Sequence, residues 1–500
     1  MSTSLFVRRA VAAVAGTAVV AGGLMAVAPA PAAHAVPAAP NAEASAAAAW
    51  LSDAIGGDGL IPGGGVGGFF YGANLDFGIS LAATGQAPSA ALTKITDGID
   101  ATVADYVGDI NAAANAGKVA HAAYFYAVTG GNASDAGDDH LDLAAALAAQ
   151  VDDTTGQLGS TNTVYNQVWA VFALKAIDSN EAAKARDFLV AQRGPAATDG
   201  WGYDAGVWTN DVDATSWALQ ALAPWQSDTT VKAAIDAGAT YLRSTQKPSG
   251  GIDAGFLGVN ANSTGLAAYA FGLTGRTTEA SAAASWVAAH QSVALAGCGV
   301  PGPNAGAIAY DDLAFAGGVT ADEVDQAGPA TAQALEGLAY LPAAQPSLPK
   351  FADAGTTNSL PLQGARTGQQ VCVTGLGAPQ QLTAPASATY AAPAGTADHP
   401  VTLTFLGGST TTTLKALDAT RLKVKVATKL KANKKATIKV KGLAAGESVS
   451  VKIGKKTATG TANANGVAKV RIKVKKKGKA KVKVVGQFPD RKGKATTRVV

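Results

Sequence analysis

The sequence predicts a multidomain protein of class α plus β, in which a closed ring of six helical hairpins precedes a small β region and a basic β-sandwich. Apolar segments with helical spacing recur about every 45 to 50 residues between residues 46 and 342. Short segments of strictly alternating residues replace them after residue 348. Residues 421–500 contain 25 lysines and arginines against Glu447 and Asp490, a net charge of +23 in a chain whose total is +4.

The N-terminus has the features of a secretory signal peptide over residues 1–35. Arg8 and Arg9 precede an apolar run that reaches about residue 30, and Ala33-His34-Ala35 fits a signal-peptidase site. The paired arginines leave twin-arginine export open beside general secretion. No later apolar stretch reaches the roughly 20 residues that span a bilayer. We therefore expect a secreted, extracellular protein, with association to the cell wall left open.

Cys298 and Cys372 are the two cysteines of the chain. Export would place them in an oxidising compartment, where a disulfide persists. We expect this bridge to join the end of the helical part to the first β-segment; two free buried thiols are the alternative.

Six apolar segments are predicted to form the inner helices of the ring. They are apolar almost all round, which is typical of helices buried on every side. The segments are 77–84, 121–129, 167–177, 215–224, 264–274 and 331–340.

A second set of helices alternates with the first and carries charged residues, so we place it outside. Each of these segments ends in a glutamine: Gln150, Gln192, Gln246 or Gln291. A Gly-containing turn follows three of the glutamines, and glycine allows a helix to end and the chain to reverse. A closed double-layered ring over residues 46–345, after a linker at 36–45, accounts for this alternation.

The turns resemble a degenerate Gln-Trp repeat of squalene cyclases. Gln246-Lys-Pro-Ser-Gly250-Gly-Ile252 has this pattern, and the segment from Gly200 through Leu222 is similar to repeats of the wider prenyltransferase, squalene cyclase and transcobalamin group. The resemblance covers about 300 residues and implies the (α/α)6 toroid fold. It does not imply one activity, because that ring hosts cyclases, zinc prenyltransferases, cobalamin carriers and protein-binding domains.

Candidate ligand-binding residues lie at the N-terminal ends of the predicted inner helices and in the loops before them. Apolar walls with a few convergent polar groups are what a small-molecule site needs. The polar candidates are Asp76, His121, Asn166, Gln167, Asp211, Asp213, Asn262, Ser263, Thr264 and Gln333, and the aromatic ones are Phe69, Phe70, Tyr71, Trp201, Tyr203 and Trp208.

Asp211-Val-Asp213-Ala-Thr215 resembles the Asp-x-Asp-Asp-Thr acid motif of squalene cyclases. The resemblance implies that Asp213 is a general acid and that Asp211 helps to keep it protonated. Ala214 replaces the last aspartate of the motif, which removes part of that support. The alternative interpretation is that Asp213 caps a helix, since residues 262–264 occupy the matching place in the next repeat.

Other chemistry receives less support. A zinc prenyltransferase site is excluded because no Asp lies two residues before Cys298 and no His follows it until His399, so we expect neither metal nor cofactor. His121 and His290 are interpreted as packing residues. The small number of aromatic residues argues against full cyclase chemistry. The sequence Ser263-Thr264-Gly265 resembles a helix opening of the transcobalamin group and leaves a ligand carrier open.

The C-terminal part is predicted to be β-structure. Residues 346–418 favour a small β-module or structured linker, and residues 419–500 alternate valine or isoleucine with lysine, as in a two-sheet sandwich. The pattern resembles bacterial immunoglobulin-like modules. Its charge would attract anionic wall polymers or a membrane surface, and no motif for specific nucleic-acid recognition is present. The lysines could also simply solvate the sheet.

These observations predict a secreted toroid that binds an apolar small molecule or a partner, is held at the cell surface by its basic domain, and is not catalytic. The alternative is a terpenoid cyclase or isoprenoid-modifying enzyme with Asp213 as acid. A carrier of a cobalamin-type ligand is the third hypothesis, and the oligomeric state stays open.

Overall fold

The computed structural model describes residues 41–61, 69–85, 90–160, 163–204, 210–299, 304–319 and 324–500. The predicted signal peptide lies outside these residues. Within them, no helix is both long enough and apolar enough to cross a bilayer.

Six helices form the inner layer of the ring in the described part of the chain. They are α2 (Phe69–Ala83), α5 (Ala116–Thr129), α7 (Val164–Ala176), α9 (Val212–Leu222), α11 (Ala261–Leu273) and α14 (Val324–Ala334). Each packs against the next, and α14 packs against α2, which closes the ring. The predicted apolar segments lie on or directly after these helices, so the prediction of a closed (α/α)6 toroid is confirmed.

The outer layer consists of helices that cover the inner ones. They are α1 (Ala42–Ala54), α3 (Ala90–Asp100), α6 (Leu143–Ala149), α8 (Ala182–Ala191), α10 (Thr229–Thr245) and α12 (Thr277–Ala289), with short helices α4 (Val103–Val107) and α13 (Asp312–Gly317) between repeats. In α10, Val231, Ile235 and Leu242 are buried at helical spacing, while Lys232 and Asp236 form an exposed ion pair at 2.7 Å. This spacing places one apolar stripe against the ring.

Helix α1 begins at Ala42, inside the predicted linker, and packs against the last inner helix. The Gln291 amide donates to the carbonyl oxygen of Glu43 at 2.8 Å, and the Asn41 amide donates to that of Leu338 at 2.6 Å. The first helix therefore fastens the two ends of the ring together.

Small residues allow the inner helices to pack closely against one another. A Cβ atom on Gly265 of α11 would lie 2.3 Å from the Cα atom of Ala334 in α14, closer than packing allows. Gly265 thus has a packing role, and this accounts for its place in the helix opening that suggested a carrier.

Residues 351–417 form a module with its own core. Its strands are β1 (Phe351–Asp353), β2 (Thr357–Pro361), β3 (Gln370–Thr374), β4 (Gln380–Thr383), β5 (Ser387–Ala391), β6 (Ala397–Phe405) and β7 (Gly408–Leu417). A five-stranded sheet of order β1-β7-β6-β3-β4 packs with the β2-β5 pair around Val371, Leu403 and Tyr390. Residues 351–417 therefore have the strands and the core of a β-module.

A disulfide and a buried ion pair are among the contacts that fasten the module to the ring. Cys372 of β3 forms a disulfide with Cys298, as predicted. Arg366 forms an ion pair with Glu43 of α1, and both side chains are largely buried.

Residues 419–500 form a two-sheet sandwich of the immunoglobulin-like kind. Its strands are β8 (Lys423–Lys425), β9 (Lys429–Leu430), β10 (Lys435–Lys441), β11 (Ser448–Ile453), β12 (Lys456–Thr461), β13 (Val467–Lys473), β14 (Gly478–Val485) and β15 (Lys492–Val499). Sheet β13-β10-β8 and sheet β12-β11-β14-β15-β9 share a core that includes Ile438, Val440, Val451 and Val482. The lysines alternate with these residues and lie on the outer faces. We call residues 419–500 the Lys-rich sandwich.

Candidate functional site in the ring interior

A recurring hydrogen bond ties each Gly-containing turn to the inner helix that follows it. The backbone N–H of Leu158 donates to Gln167 Oε1 at 2.9 Å, and that of Ile252 donates to Thr264 Oγ1 at 3.0 Å. Both acceptor side chains are buried. Gln167 and Thr264, predicted to bind a ligand, are thus occupied by the backbone, and we assign them to the scaffold.

Trp201 has a similar scaffold position. Its backbone N–H donates to Thr215 Oγ1 at 2.9 Å, and its indole N–H donates to the Leu189 carbonyl oxygen at 2.7 Å. The side chain is completely buried, so it plugs the space between two helices. Tyr203, two residues later, is 49% exposed. Trp208 lies outside the described residues.

Asp211, and not Asp213, caps helix α9. The carboxylate of Asp211 accepts a hydrogen bond from the Ala214 backbone N–H at 2.8 Å and another from the Tyr165 hydroxyl at 3.2 Å. The interpretation of Asp213 as the cap is therefore wrong, because the helix begins one residue before it. The carboxyl group of Asp213 is left available for another role.

The next repeat follows the same rule. Asn260 caps α11 by accepting from the Ser263 backbone N–H at 2.9 Å. Asn262 therefore occupies, in this repeat, the position that Asp213 has in α9. The two neighbouring helices thus present an amide and a carboxyl group at equivalent positions.

Burial raises the pKa of Asp213 from its usual value of 3.8 to about 6. The Ser263 hydroxyl partly offsets this rise in pKa, and the negative charge of Asp211 adds to it. Within the described residues, Asp213 Oδ1 and Ser263 Oγ are both buried without a well-aligned hydrogen bond. A carboxyl group with this pKa can hold a proton in mildly acidic solution and has capacity for a further partner.

Four polar side chains from four inner helices lie close to one another and form a polar network of hydrogen bonds and one close His–Asp contact. His121 Nε2 lies 3.0 Å from Asp76 Oδ1, and the Gln333 amide donates to Asp76 Oδ2 at 3.1 Å. The Asn262 amide donates to Gln333 Oε1 at 2.9 Å. These residues come from α5, α2, α14 and α11, so the structure brings together four of the polar candidates that are far apart in sequence.

An aromatic belt lies beside this network. The imidazole of His121 stacks on Trp169 with ring centroids 3.8 Å apart, and Trp169 lies 4.9 Å from Trp217. Phe172 lies 4.8 Å from Tyr124 and 6.2 Å from Trp217. We define Tyr124, Trp169, Phe172 and Trp217 as the aromatic belt. Their side chains come from three successive inner helices and remain 6 to 9% exposed.

The aromatic belt weakens the argument that the chain has too few aromatic residues for cyclase chemistry. The chain has 13 Phe, 11 Tyr and 7 Trp residues, but four such side chains are concentrated on consecutive inner helices. The aromatic residues predicted to bind a ligand were assigned to loops, and the four belt residues were not among them. Their recurrence within segments predicted to be inner helices is the signal that could have found them.

Glu336 is a second buried acid in the ring. It lies in the 3-10 helix Glu336–Tyr340 after α14 and is 6% exposed. Its carboxyl Oε1 is 3.3 Å from the Ser80 hydroxyl. Burial raises the pKa of Tyr124 on α5, and the charge of Glu336 adds to this rise. In the ring, α2 lies between α5, which carries Tyr124, and α14, which Glu336 follows.

Burial raises the pKa of Glu336 from 4.5 to about 8, while the hydrogen bond from Ser80 lowers it and the charge of Asp76 raises it. Glu336 is therefore mostly protonated at neutral pH. Glu336 was not among the predicted site residues, although it is the one charged residue of segment 331–340 and charged side chains are rarely fully buried.

The remaining candidates lie elsewhere. The Asn166 backbone N–H donates to the Thr163 hydroxyl at 3.3 Å in the first turn of α7. Tyr71 stacks on Tyr106 at 4.3 Å, and the side chains of residues 69 and 70 lie outside the described part of the chain. Over the described residues, no group of three or more His, Cys, Asp or Glu side chains is placed to hold a metal ion.

Comparisons with known proteins bear on the fold alone. No family model matches the chain, and no curated protein matches it. Among solved structures, a variant of the type II terpene cyclase MstE from Scytonema, in complex with merosterolic acid A, is 14% identical, covers 60% of this chain and 95% of its own, and has a TM-score of 0.41. A possible GH105-family member from Salmonella enterica is 13% identical, covers 59% of this chain and 93% of its own, and has a TM-score of 0.42. The fibronectin(III)-like modules of Clostridium thermocellum CbhA are 11% identical, cover 31% of this chain and 93% of their own, and have a TM-score of 0.20. At these levels the similarities assign no activity to the chain.

Proposed function

We propose that the protein is a secreted toroid that holds an apolar small molecule in its ring and is retained at the cell surface by the Lys-rich sandwich. The aromatic belt is the observation that carries the first part. Four aromatic side chains from α5, α7 and α9 offer an apolar wall, and the network around Asp76 offers polar groups beside it. This combination is typical of small-molecule sites, where a few polar groups fix the orientation of a ligand.

Trp217 allows a direct test of this site. We expect the Trp217→Ala variant to bind farnesol, measured by displacement of the apolar dye N-phenyl-1-naphthylamine, at least tenfold more weakly than the wild type, because the ligand would lose one wall. Trp225→Ala is the matched control, since Trp225 lies under the cations of Lys175 and Arg186 and outside the belt. Equal affinities of the two variants would contradict a site at the belt.

A second candidate function is acid-initiated cyclisation of an isoprenoid. Its support is that Asp211 supplies the helix cap, so that Asp213 keeps a buried oxygen without a well-aligned hydrogen bond and a pKa near 6. A general acid must hold its proton before it protonates an alkene or epoxide. Ala214 stands where the resembling motif has its last aspartate, and the Ser263 hydroxyl of the next inner helix interacts with the Asp213 carboxyl group.

The cyclisation hypothesis predicts products that depend on pH and on Asp213. With squalene or geranylgeranyl diphosphate as substrate, we expect cyclic products, analysed by gas chromatography and mass spectrometry, to increase as the pH falls from 8 to 5, because Asp213 gains its proton near pH 6. The Asp213→Asn variant should form none. The Asp228→Asn variant, which alters an exposed cap of α10, should retain activity. Absence of products from the wild type at pH 5 would exclude this candidate.

The carrier hypothesis receives no support from the residues that suggested it. Thr264 is occupied by the turn before α11, and Gly265 is required by the approach of α14. Both residues therefore have structural roles that any toroid of this geometry needs.

The proposed surface retention depends on charge. The outer faces of the Lys-rich sandwich carry lysines, while Glu447 is completely buried against Arg491 with a 2.8 Å Nε–Oε1 contact. We expect the full chain without its predicted signal peptide to bind a soluble phosphate polymer, and binding to weaken about a thousandfold or more between 50 and 200 mM salt as counterions compete. Affinity that does not change with salt, measured by titration calorimetry, would contradict this part of the proposal.

A further inference from the structure

One outer face of the Lys-rich sandwich carries a row of three lysines on neighbouring strands. In the sheet β13-β10-β8, Lys439 pairs directly with Lys425 on one side and with Lys469 on the other. Directly opposite residues have Cβ atoms about 4.5 to 5.5 Å apart. The three side chains therefore form a compact line of positive charge across the sheet.

The opposite outer face carries a matching row. In the sheet β12-β11-β14-β15-β9, Lys483 pairs with Lys452 on one side and with Lys494 on the other. All three of these lysines are exposed. The two sheets share one core, so the two rows face away from each other.

Protection of the sheet edges does not account for these rows. Lysine on an edge strand discourages association of sheets, but Lys439 and Lys483 lie on central strands. Like charges directly opposite each other destabilise a sheet. Acidic residues of the domain give little relief, because Glu447 is buried against Arg491 and Asp490 lies in the turn before β15. The fold thus maintains two unfavourable rows of charge that an external polyanion would neutralise.

The separation of the two rows should allow each to bind a polyanion independently of the other. Packed sheets lie about 10 Å apart and the lysines extend outward from both, whereas the Debye length is about 8 Å at physiological ionic strength. A polyanion bound to one row therefore leaves the field of the other row almost unchanged.

From this geometry we propose that the Lys-rich sandwich binds two strands of a linear phosphate polymer, one on each face, and so joins them. The inference rests on the surface retention proposed above, and it adds that one domain has two separate polymer-binding faces. Lysine ammonium groups are compact point charges, which suit single dispersed phosphates better than bidentate recognition. A flat bilayer could meet only one of the two faces, so a soluble linear polymer uses the arrangement more fully.

The test compares two charge-matched triple variants of the full chain without its predicted signal peptide. In one variant, Lys425, Lys439 and Lys469 are all changed to glutamine. In the other, Lys452, Lys483 and Lys494 are changed in the same way. Inorganic polyphosphate is the probe: short chains report stoichiometry by titration calorimetry, and long chains report joining by light scattering.

We expect the wild type to bind two short chains per protein and each triple variant to bind one. Long chains should form scattering networks with the wild type, and networks should be reduced at least tenfold with either variant. Combining all six substitutions should weaken binding at least a hundredfold. A stoichiometry of one for the wild type, or networks that persist in both triple variants, would overturn the inference while leaving surface retention intact. Binding to anionic phospholipid vesicles without any binding to polyphosphate would also overturn it, in favour of a membrane. No binding to either probe would refute surface retention itself.

Discussion

Glutamine in place of Glu336 is expected to stabilise the protein at pH 8 and to leave its stability at pH 5 nearly unchanged. The pKa of Glu336 is about 8 in the folded ring and 4.5 in its absence. Between these values the unfolded chain has lost the proton that the folded ring retains, so stability declines as the pH rises from about 4.5 through 8. Glutamine is neutral throughout and can still accept the hydrogen bond from Ser80, so we expect a gain on the order of 3 kcal/mol at pH 8.

Urea unfolding of the wild type and of Glu336→Gln at several pH values between 5 and 8 measures this effect. Glu279→Gln is the matched control, because Glu279 lies on the outer helix α12 and its pairing partner Arg243 is largely exposed. The difference between wild type and variant should grow with pH for Glu336 alone. If the stability difference from the wild type has the same pH dependence for Glu336→Gln as for Glu279→Gln, Glu336 is ionised in the ring at neutral pH.

Loss of the disulfide is expected to have an effect of similar size. Cys298 and Cys372 are 74 residues apart, and closing a loop of that length in the unfolded chain corresponds to about 4 kcal/mol in the chain-entropy account. Changing both cysteines to serine should therefore lower the free energy of unfolding by about this amount. The closed segment includes α14 and the beginning of the β-module, so both the last inner helix and the module should lose stability.

Denaturant unfolding monitored by circular dichroism measures this loss, with the reduced wild type as a second sample that lacks the bridge without any substitution. The two samples should agree. A loss below about 1 kcal/mol in both would indicate that the buried Glu43–Arg366 contact already restricts the segment.

Local periodicity explains how much of the fold could be predicted. The six inner segments and the alternating lysine strands are repeated patterns of buried and exposed positions, and each pattern depends on neighbours a few residues away. The start of α9 was harder to place. Asn210 has a positive φ of 61°, so the chain turns sharply there and Asp211 becomes the cap. From the sequence alone, either Asp211 or Asp213 could have capped the helix, because only one residue separates them.

The ring interior depends instead on contacts between distant residues. Glu336 meets Ser80 over a separation of 256 residues, and the amide of Gln333 meets Asp76 over 257. No local pattern encodes which polar side chain of the sixth repeat faces which residue of the first. The aromatic belt and the second buried acid therefore emerged from the structure. The belt residues lie on segments that were correctly predicted to be inner helices, whereas Glu336 lies just after α14, in a 3-10 helix.

The position of α1 has a consequence for the order in which this protein can be assembled during synthesis. The helix buries Trp50 and Leu51, yet its hydrogen-bonding partners Gln291 and Leu338 are made nearly 250 to 300 residues later. A chain that emerges N-terminus first therefore leaves this helix without its native docking surface until the sixth repeat has been completed. We therefore expect ring closure to be a late event in biogenesis, and termination before the sixth repeat should leave the two ends of the ring unjoined.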